Sequence, residues 1–342
     1  MAAMNNPSKI GVGVIGAGRI GQLHIEHIAQ NIPEAELIAI CGLNISDAES
    51  LAEQFNVPIV TTDYAPLLTN PRIDAVLVAS STDTHVEISQ AAAKAGKHIF
   101  CEKPIALDLQ QIDETLAIVE AAGVKFQIGF NRRFDASFSR VREAIAGGEI
   151  GEPHILRITS RDPAPPPIEY VKVSGGIFLD MTIHDFDMAR YLIGDEVVEV
   201  YATGGVRVDP RIGKAGDIDT AVITLKFQNG VIGTIDNSRE AVYGYDQRVE
   251  VFGSKGMVTA ANPPTDTVTF SGHNGTRAAS PPYFFIERYK PAYLAELQAF
   301  FTCIQEDTTP PVTGTDGRAP VVLGFAALKS LRENRPVLMS EI

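Results

Sequence analysis

Residues 10–21 read IGVGVIGAGRIG, an apolar run followed at once by a glycine-rich turn. The run Ile10 to Ile15 has the composition of a buried strand, and a helical pattern through His24 and Ile28 follows the glycines. In this context the first glycine of GxGxxG permits a tight turn, the second lets a ligand approach the backbone, and the third lets helix pack on strand. The pattern predicts a dinucleotide pyrophosphate site made of Gly16, Ala17, Gly18, Arg19, Ile20 and Gly21.

The first 130 residues alternate short β-rich runs with helical patterns, which is typical of a parallel sheet covered by helices. Four more strands are expected, at Leu37 to Cys41, Ala75 to Ala79, His98 to Cys101 and Phe126 to Gly129. A capping box at Ser46 and Glu49 predicts a helix to Phe55, and Asp108 precedes the amphipathic run Ile112 to Ala122. We predict an α/β protein with a dinucleotide-binding Rossmann domain over residues 1–130.

After Phe130 the pattern changes, and strands dominate. Phe134 to Ala146 predicts one connecting helix, ended by Gly147 and Gly148. Hairpin signals join Ala221 to Phe227 with Val231 to Asp236, and Arg248 to Phe252 with Met257 to Ala260. Further helices are expected at Ile183 to Leu192, Tyr293 to Ile304 and Pro320 to Arg332. Residues 131–342 are therefore predicted to form an α+β substrate-binding domain with an open, mostly antiparallel sheet. Its uncovered face predicts a homo-oligomer, a dimer or tetramer.

The charge, the apolar stretches and the cysteines of the chain limit which partners and which location are expected. The 342 residues carry a formal net charge of −13, which leaves no basic surplus for a nucleic-acid backbone. Residues 1–9 lack the apolar core of a signal peptide, and the strongest apolar stretch is too short to span a membrane. The three scattered cysteines suit a reducing compartment. We expect a cytoplasmic protein with no membrane partner.

Two motifs suggest chemistry. Glu102-Lys103-Pro104 ends a strand at the sheet edge where ligands bind, and Lys103 is suited to stabilise a developing alkoxide. Asp180 and His184 stand at i and i+4, so they would share a face if the segment is helical. The imidazole of His184 is suited to accept a hydroxyl proton, and Asp180 to orient it. Asp185 and Asp187 suggest a metal, but no second histidine or cysteine lies at ligand spacing, so none is expected.

The second strand lacks the acid that usually binds the adenosine ribose. Gly42 or Asn44 occupies that place, and no arginine follows to accept a 2′-phosphate. Asn44 can hydrogen-bond a ribose, and Asp47 nearby disfavours an added phosphate. NAD is the expected cofactor, and NADP is not excluded because Gly42 replaces the acid.

With these motifs the chain resembles the Gfo/Idh/MocA oxidoreductase family, and within it the bacterial inositol dehydrogenases. The resemblance rests on GAGRIGxxH at 16–24, CEKP at 101–104, GFNRRFD at 129–135, GGIFLDMTIHDFDMARYL at 175–192 and Tyr243-Gly244-Tyr245. It implies that Lys103, Asp180 and His184 are the catalytic set. It also implies cofactor contacts from Ser81, Thr82, His85, Glu102 and Lys103, although Thr82 and His85 could instead cap the following helix.

The same resemblance implies a small-molecule polyol substrate. Its contacts would be Lys103, Arg132, Arg161, Asp162, Asp180, His184, Tyr243 and Tyr245. Inositol dehydrogenases tend to show His-Arg-Asn where this chain has Ser160-Arg161-Asp162, which leaves the preferred stereochemistry open. The implied reaction is NAD-dependent oxidation of myo-inositol, or a close isomer, to an inosose. The alternatives are another polyol or aldose dehydrogenase, for example one acting on scyllo-inositol or a pyranose. Also open are a redox-neutral NAD-dependent glycosidase and a non-catalytic dinucleotide-binding regulator.

Overall fold

A computed structural model describes residues 9–342, so the expectation about a signal peptide lies largely outside the described residues. The chain divides into two compact units. The first contains the described residues up to Phe130 together with Tyr293–Arg318, and the second contains Asn131–Ala292 and Ala319–Ile342. Within the described part of the chain, no helix is both long enough and apolar enough to cross a bilayer.

The first unit is built on a six-stranded parallel sheet. In chain order its strands are β1 (Ile10–Ile15), β2 (Ala35–Cys41), β3 (Ile59–Thr61), β4 (Ala75–Val78), β5 (His98–Glu102) and β6 (Phe126–Gly129). Their spatial order is β3-β2-β1-β4-β5-β6. Residues on both faces of β1 and β4 are buried, which explains the unbroken apolar runs in the sequence. The order is that of a Rossmann fold, so the predicted fold class is confirmed for this unit.

Helices connect these strands. They are α1 (Arg19–Asn31), α2 (Ile45–Phe55), α3 (Ala65–Thr69), α4 (Thr82–Lys94) and α5 (Leu109–Ala122). The Asp108 side chain caps α5 as expected, accepting a 2.9 Å hydrogen bond from the Gln111 backbone N–H. The expected cap at Ser46 is wrong. Helix α2 begins one residue before Ser46, and its N-cap is Asn44, whose side-chain oxygen accepts a 2.9 Å hydrogen bond from the Ser46 hydroxyl.

The observed division of the chain differs from the predicted domains in one segment. Tyr293–Arg318 was expected to belong with residues 131–342, but it groups with the Rossmann sheet. The reason is apolar packing, because Leu297, Phe300 and Phe301 join the same buried core as Val12 and Phe100. The helix was correctly expected, but it is longer than predicted, at Phe285–Gln305, and the division between units falls within it.

The second unit carries a seven-stranded mixed sheet. Its strands are β7 (Pro153–Arg161), β8 (Val197–Gly205), β9 (Thr220–Phe227), β10 (Ile232–Ser238), β11 (Asp246–Gly253), β12 (Gly256–Ala260) and, after the hairpin strands β13 (Thr269–Gly272) and β14 (Gly275–Ala278), β15 (Val337–Leu338). The order is β12-β11-β7-β10-β9-β8-β15, and only β7 and β10 pair in parallel. Both predicted hairpins form, and the expectation of a mostly antiparallel sheet is confirmed.

The helices that follow residue 130 in the chain begin with a 3₁₀ turn at Asn131–Phe134. The α-helices follow in chain order: α6 (Ala136–Ala146), α7 (Ile168–Val171), α8 (Ile177–Asp180), α9 (Thr182–Ile193), α10 (Pro210–Lys214), α11 (Phe285–Gln305) and α12 (Gly314–Glu333). The connecting helix was expected from Phe134, but Asp135 caps it by accepting from the Ser137 and Phe138 backbone N–H groups. The helix therefore starts two residues later than predicted. Helix α12 starts before Pro320, which lies inside it.

Candidate functional site

The glycine-rich turn of the first unit has the geometry that a pyrophosphate site needs. Gly16 has φ of 110°, and a Cβ there would lie 2.4 Å from the Ala79 backbone. A Cβ at Gly21 would lie 1.8 Å from the Gly16 carbonyl oxygen, so helix and turn are in close contact. At Gly18, by contrast, no described residue lies within 4 Å of an added Cβ. The turn is thus fixed by two glycines and open at the third, at the N-terminus of α1, which fits a bound dinucleotide.

The structure explains the missing acid at the end of β2. A Cβ at Gly42 would lie 2.9 Å from the Cβ of Ala17 and 3.3 Å from that of Ala48. Helix α2 and the glycine-rich turn therefore leave little room for any side chain at this position. Asn44 is exposed, and its amide donates a 2.8 Å hydrogen bond to the Asp47 carboxylate. Ribose recognition would fall to this Asn44–Asp47 pair rather than to residue 42.

Lys103 lies directly after β5 and is partly buried. The neighbouring segment is held by His85, whose side chain is almost fully buried. His85 Nδ1 lies 2.9 Å from the Pro104 carbonyl oxygen, and Nε2 lies 3.1 Å from that of Ser80. Both neighbours are hydrogen-bond acceptors, so the contacts favour protons on both ring nitrogens and hence the cationic imidazole. Burial lowers the pKa of His85, but the neighbouring Cys101 and the two carbonyls outweigh it and raise the pKa to about 9.

These contacts change the roles expected for the residues that follow β4. His85 uses both ring nitrogens inside the protein, so it braces the backbone around Ser80 and Pro104. Ser81, not Thr82 or His85, is the N-cap of α4, and its side chain makes no capping hydrogen bond. The capping alternative for Thr82 and His85 is therefore wrong. Ser81 is exposed and Thr82 half-buried, so both remain candidates for contact with a ligand.

Stability should fall at alkaline pH because of His85. Its pKa in the folded protein, about 9, lies above the ordinary value of 6.5, so its contribution is complete below pH 6.5 and lost as pH rises through 9. The full contribution is about 3 kcal/mol, by linkage. Urea unfolding of the wild type between pH 6 and 10 should show this loss, and His85→Gln should remove it. An unchanged slope in the variant would contradict a cationic His85.

In the second unit, the carboxylate of Asp180 is held from two sides. The Tyr170 hydroxyl donates a 2.7 Å hydrogen bond to Oδ1, and Arg239 Nη1 donates one of 3.1 Å to Oδ2. Arg239 is buried and also lies 3.7 Å from the Asp217 carboxylate. In turn, Asp217 accepts a 3.1 Å hydrogen bond from the Ile177 backbone N–H at the start of α8. These contacts place Asp180 rigidly at the end of α8.

Asp180 and His184 do not lie on one continuous helix, although Met181 between them keeps a right-handed helical conformation, with φ of −97° and ψ of −58°. Helix α8 ends at Asp180 and α9 begins at Thr182, so Met181 separates the two helices. The Thr182 hydroxyl donates a 2.5 Å hydrogen bond to the Asn237 side-chain oxygen on β10, and it also lies 3.2 Å from the Ile177 carbonyl oxygen. His184 lies half-buried in the first turn of α9.

The two arginines after β6 pair with the two acids after His184. Arg132 Nη1 donates a 2.6 Å hydrogen bond to Asp185, and Arg133 Nη2 donates one of 2.6 Å to Asp187. Arg132 also lies within 3.3 Å of the Tyr245 hydroxyl and is buried. The expected substrate arginine, Arg132, thus uses its guanidinium to fix α9, and the acids that suggested a metal are ion-paired.

The structure separates the expected substrate residues into two groups on opposite faces of the sheet. Ser160 points to the helix-covered face, where it hydrogen-bonds Gln247 at 2.8 Å and lies beside Arg132. Arg161, the next residue along β7, points to the other face and pairs with Asp236 at 2.6 Å and with the Tyr243 hydroxyl at 3.2 Å. Arg161 and Tyr243 therefore do not lie with Asp180, although all were expected in one site.

Asp162 faces several charged groups of the helix-covered side. Burial raises its pKa to about 6, with Arg239 and Arg132 acting against the rise and Asp180 and Asp185 adding to it. The carboxyl of Asp162 therefore changes charge near neutral pH. Tyr245 is buried on the same side, and its ring packs edge-on against that of Tyr289 at a centroid distance of 5.9 Å.

Sequence reasoning missed Tyr170, Arg239 and Asn237. Asn237 donates a 2.8 Å hydrogen bond to Asp185 from strand β10. The sequence held a signal for both Asn237 and Arg239. Asn237 is a polar residue at an inward-facing position of β10, and Arg239 directly follows that strand. For Tyr170 there was none, because it lies in the four-residue helix α7, directly after the proline-rich residues 163–167.

Two family models match the chain. One, described as an oxidoreductase family with an NAD-binding Rossmann fold, matches residues 10–130, and the other, described as the GFO/IDH/MocA C-terminal domain, matches residues 138–259. The myo-inositol 2-dehydrogenase of Thermotoga maritima is 52% identical over 331 residues, 97% of this chain and 99% of that protein. The inositol 2-dehydrogenase of Rhizobium meliloti is 44% identical over 328 residues, 95% and 98% of the two chains.

A solved structure is also similar to this protein over nearly its whole length. The crystal structure of scyllo-inositol dehydrogenase from Lactobacillus casei, with bound NAD(H) and scyllo-inositol, matches with a TM-score of 0.91 at 32% identity. The match covers 97% of this chain and 100% of that one.

Proposed function

Since the chain belongs to the Gfo/Idh/MocA family of NAD-binding oxidoreductases, we propose that it oxidises a ring hydroxyl of myo-inositol, or of a close isomer, to the inosose. The observation that carries the substrate assignment is the nearly full-length likeness to a myo-inositol 2-dehydrogenase. The fixed carboxylate of Asp180 and the half-buried His184 on the next helix support the chemistry.

The roles follow from the chemistry of each side chain. A bound nicotinamide supplies the hydride acceptor, and the open turn at Gly18 would hold its pyrophosphate. His184 accepts the hydroxyl proton, so that the C–H electron pair leaves as hydride and a ketone forms. Asp180 stabilises the imidazolium that results. Lys103 stabilises negative charge on the substrate oxygen. Arg132 and Tyr245 shape the second unit's face around α9.

A second substrate has specific support. Asp162 stands where inositol dehydrogenases tend to carry asparagine, and it can accept but, when ionised, not donate a hydrogen bond to a ring hydroxyl. The candidate second substrate is scyllo-inositol, the ligand in the Lactobacillus casei structure.

The test is NADH formation by the purified protein with NAD or NADP and with myo-, scyllo- and chiro-inositol, glucose and xylose. Turnover of myo-inositol with NAD is expected. Faster turnover of scyllo-inositol would favour the second substrate. Dinucleotide binding without turnover of any of these would contradict the proposed reaction.

We also propose a homo-oligomer formed through the open face of the seven-stranded sheet. Met257, Phe252, Ile155 and Ile232 stand directly opposite one another across four strands and form a continuous apolar row. Their exposures of 39% to 56% are high for side chains of this size. A row of this kind is suited to pack on its counterpart in a second copy. A cytoplasmic location is proposed as well, in keeping with three buried free thiols.

Phe252→Glu should therefore dissociate the oligomer. A carboxylate in the middle of the apolar row would be buried without a partner, at a cost of several kcal/mol. Light scattering coupled to size-exclusion chromatography would report the mass. Val268→Glu, at another exposed apolar position, is the matched control and should keep the wild-type mass. A monomeric wild type, or an unchanged Phe252→Glu oligomer, would exclude this interface.

A further inference from the structure

The first unit contains a buried cluster of one histidine and two glutamates outside the glycine-rich turn. His24 comes from α1, Glu102 from the end of β5 and Glu296 from α11, and one donor atom from each lies within 4.8 Å of the others. His24 and Glu296 are fully buried, and the Glu102 side chain is 13% exposed. Phe100 and Tyr293 pack edge-on against the His24 ring at 5.2 and 5.9 Å. The cluster thus lies in apolar surroundings next to Lys103.

The two glutamates of the cluster differ in their hydrogen bonds. His24 Nε2 lies 2.7 Å from Glu102 Oε1, which is hydrogen-bonding distance. Neither carboxyl oxygen of Glu296 has a hydrogen-bond partner among the described residues. The backbone of α11 is fixed at this point, because the backbone carbonyl of Glu296 accepts a 2.7 Å hydrogen bond from the Gln127 side chain. A buried carboxyl group therefore points into a site that already holds a second carboxylate.

The charge of Glu296 follows from these contacts. Two ionised carboxylates this close in apolar surroundings repel each other, and a buried charge without a partner is costly. Glu102 differs from Glu296 in that its side chain is partly exposed and lies 2.7 Å from His24 Nε2. Burial, and then the charge of Glu102, raise the pKa of Glu296 well above its ordinary value.

We propose that Glu296 is a positioning residue that stays protonated and donates its hydrogen bond towards the Glu102 carboxylate through one bridging water molecule. Glu102 is then held by His24 on one side and by Glu296 on the other. Lys103 extends from the next residue, so this contact restricts the backbone that carries it. The effect on catalysis rests on the proposed function, whereas the protonation of Glu296 does not.

A divalent cation is the alternative occupant of three such side chains. In the structure His24 Nε2 instead lies 2.7 Å from Glu102 Oε1, the distance of a hydrogen bond, and the experiment below separates the two occupants.

Infrared spectroscopy of the purified protein tests the proton directly. The wild type should show the carbonyl stretch of a protonated carboxylic acid, and Glu296→Gln should lose that band. Glu306→Gln, an exposed acid just beyond the same helix, should keep it. A band that persists in Glu296→Gln, or a stoichiometric divalent metal in the wild type that this variant loses, would overturn the proposal.

Kinetics test the positioning role. Glu296→Gln keeps a hydrogen-bond donor and should hold kcat/KM within about threefold of the wild type, whereas Glu296→Ala should lower it by about 10- to 100-fold. Equal impairment of the two variants would overturn the role. If Glu296→Ala does not fold, Glu296→Gln alone decides, since impairment beyond threefold contradicts the proposal. If no substrate is turned over, the proposed function fails while the infrared result still stands.

Discussion

Replacement of His184 by alanine is expected to lower kcat by about 100- to 10,000-fold, the scale of general-base catalysis. The reason is that the hydroxyl proton must leave as hydride leaves the same carbon, and alanine cannot accept it. Affinity for NAD should stay within about threefold, because the glycine-rich turn belongs to the first unit and His184 to the second. Steady-state NADH formation and calorimetric titration with NAD measure the two quantities.

His273→Ala is the matched control for this experiment. His273 is exposed in the hairpin formed by β13 and β14, so its replacement should leave both kcat and affinity unchanged. An unchanged kcat in His184→Ala would remove His184 from the reaction. A fall in NAD affinity as steep as the fall in kcat would make it a structural residue.

Local patterns predicted the parts of this protein that depend on neighbours in sequence. The strand Ile10–Ile15, the turn from Gly16 to Gly21 and both hairpins follow from short-range spacing, and the structure has them. The opposite orientation of Ser160 and Arg161 was also readable, since successive strand residues face opposite ways. The resemblance grouped them nonetheless, because a motif matches residue types and carries no direction.

Contacts between distant segments could not be predicted in this way. Arg239 reaches Asp180 across 59 residues, and Tyr293–Arg318 returns to the first sheet after the second is complete. Neither periodicity nor capping reports which sheet a helix joins, because that choice depends on the fit of complete apolar surfaces. The contact of Thr182 with Asn237 is similar, since the two residues are 55 positions apart in the chain.

Arg239→Met should reduce the free energy of unfolding by about 3 to 5 kcal/mol, the usual cost of removing one partner from a buried ion pair. Arg239 is 1% exposed, and it is the cation that faces both Asp180 and Asp217. Methionine fills much of the same volume, so the loss reports charge more than packing. Urea unfolding at pH 8 measures it. Arg207→Met, on an exposed side chain of the same unit, should change stability by less than about 0.5 kcal/mol.

The loss in free energy of unfolding caused by Arg239→Met should be smaller at acidic pH. Burial raises the pKa of Asp162 to about 6 and also raises that of Asp217, while Arg239 lowers both, so its removal raises them further. An acid whose pKa is higher in the folded than in the unfolded state opposes folding at high pH. That cost disappears as pH falls through the folded pKa towards the unfolded value, near 4. The destabilisation by Arg239→Met should therefore be larger at pH 8 than at pH 5. Equal losses at the two pH values would mean that Arg239 stabilises the unit by packing alone.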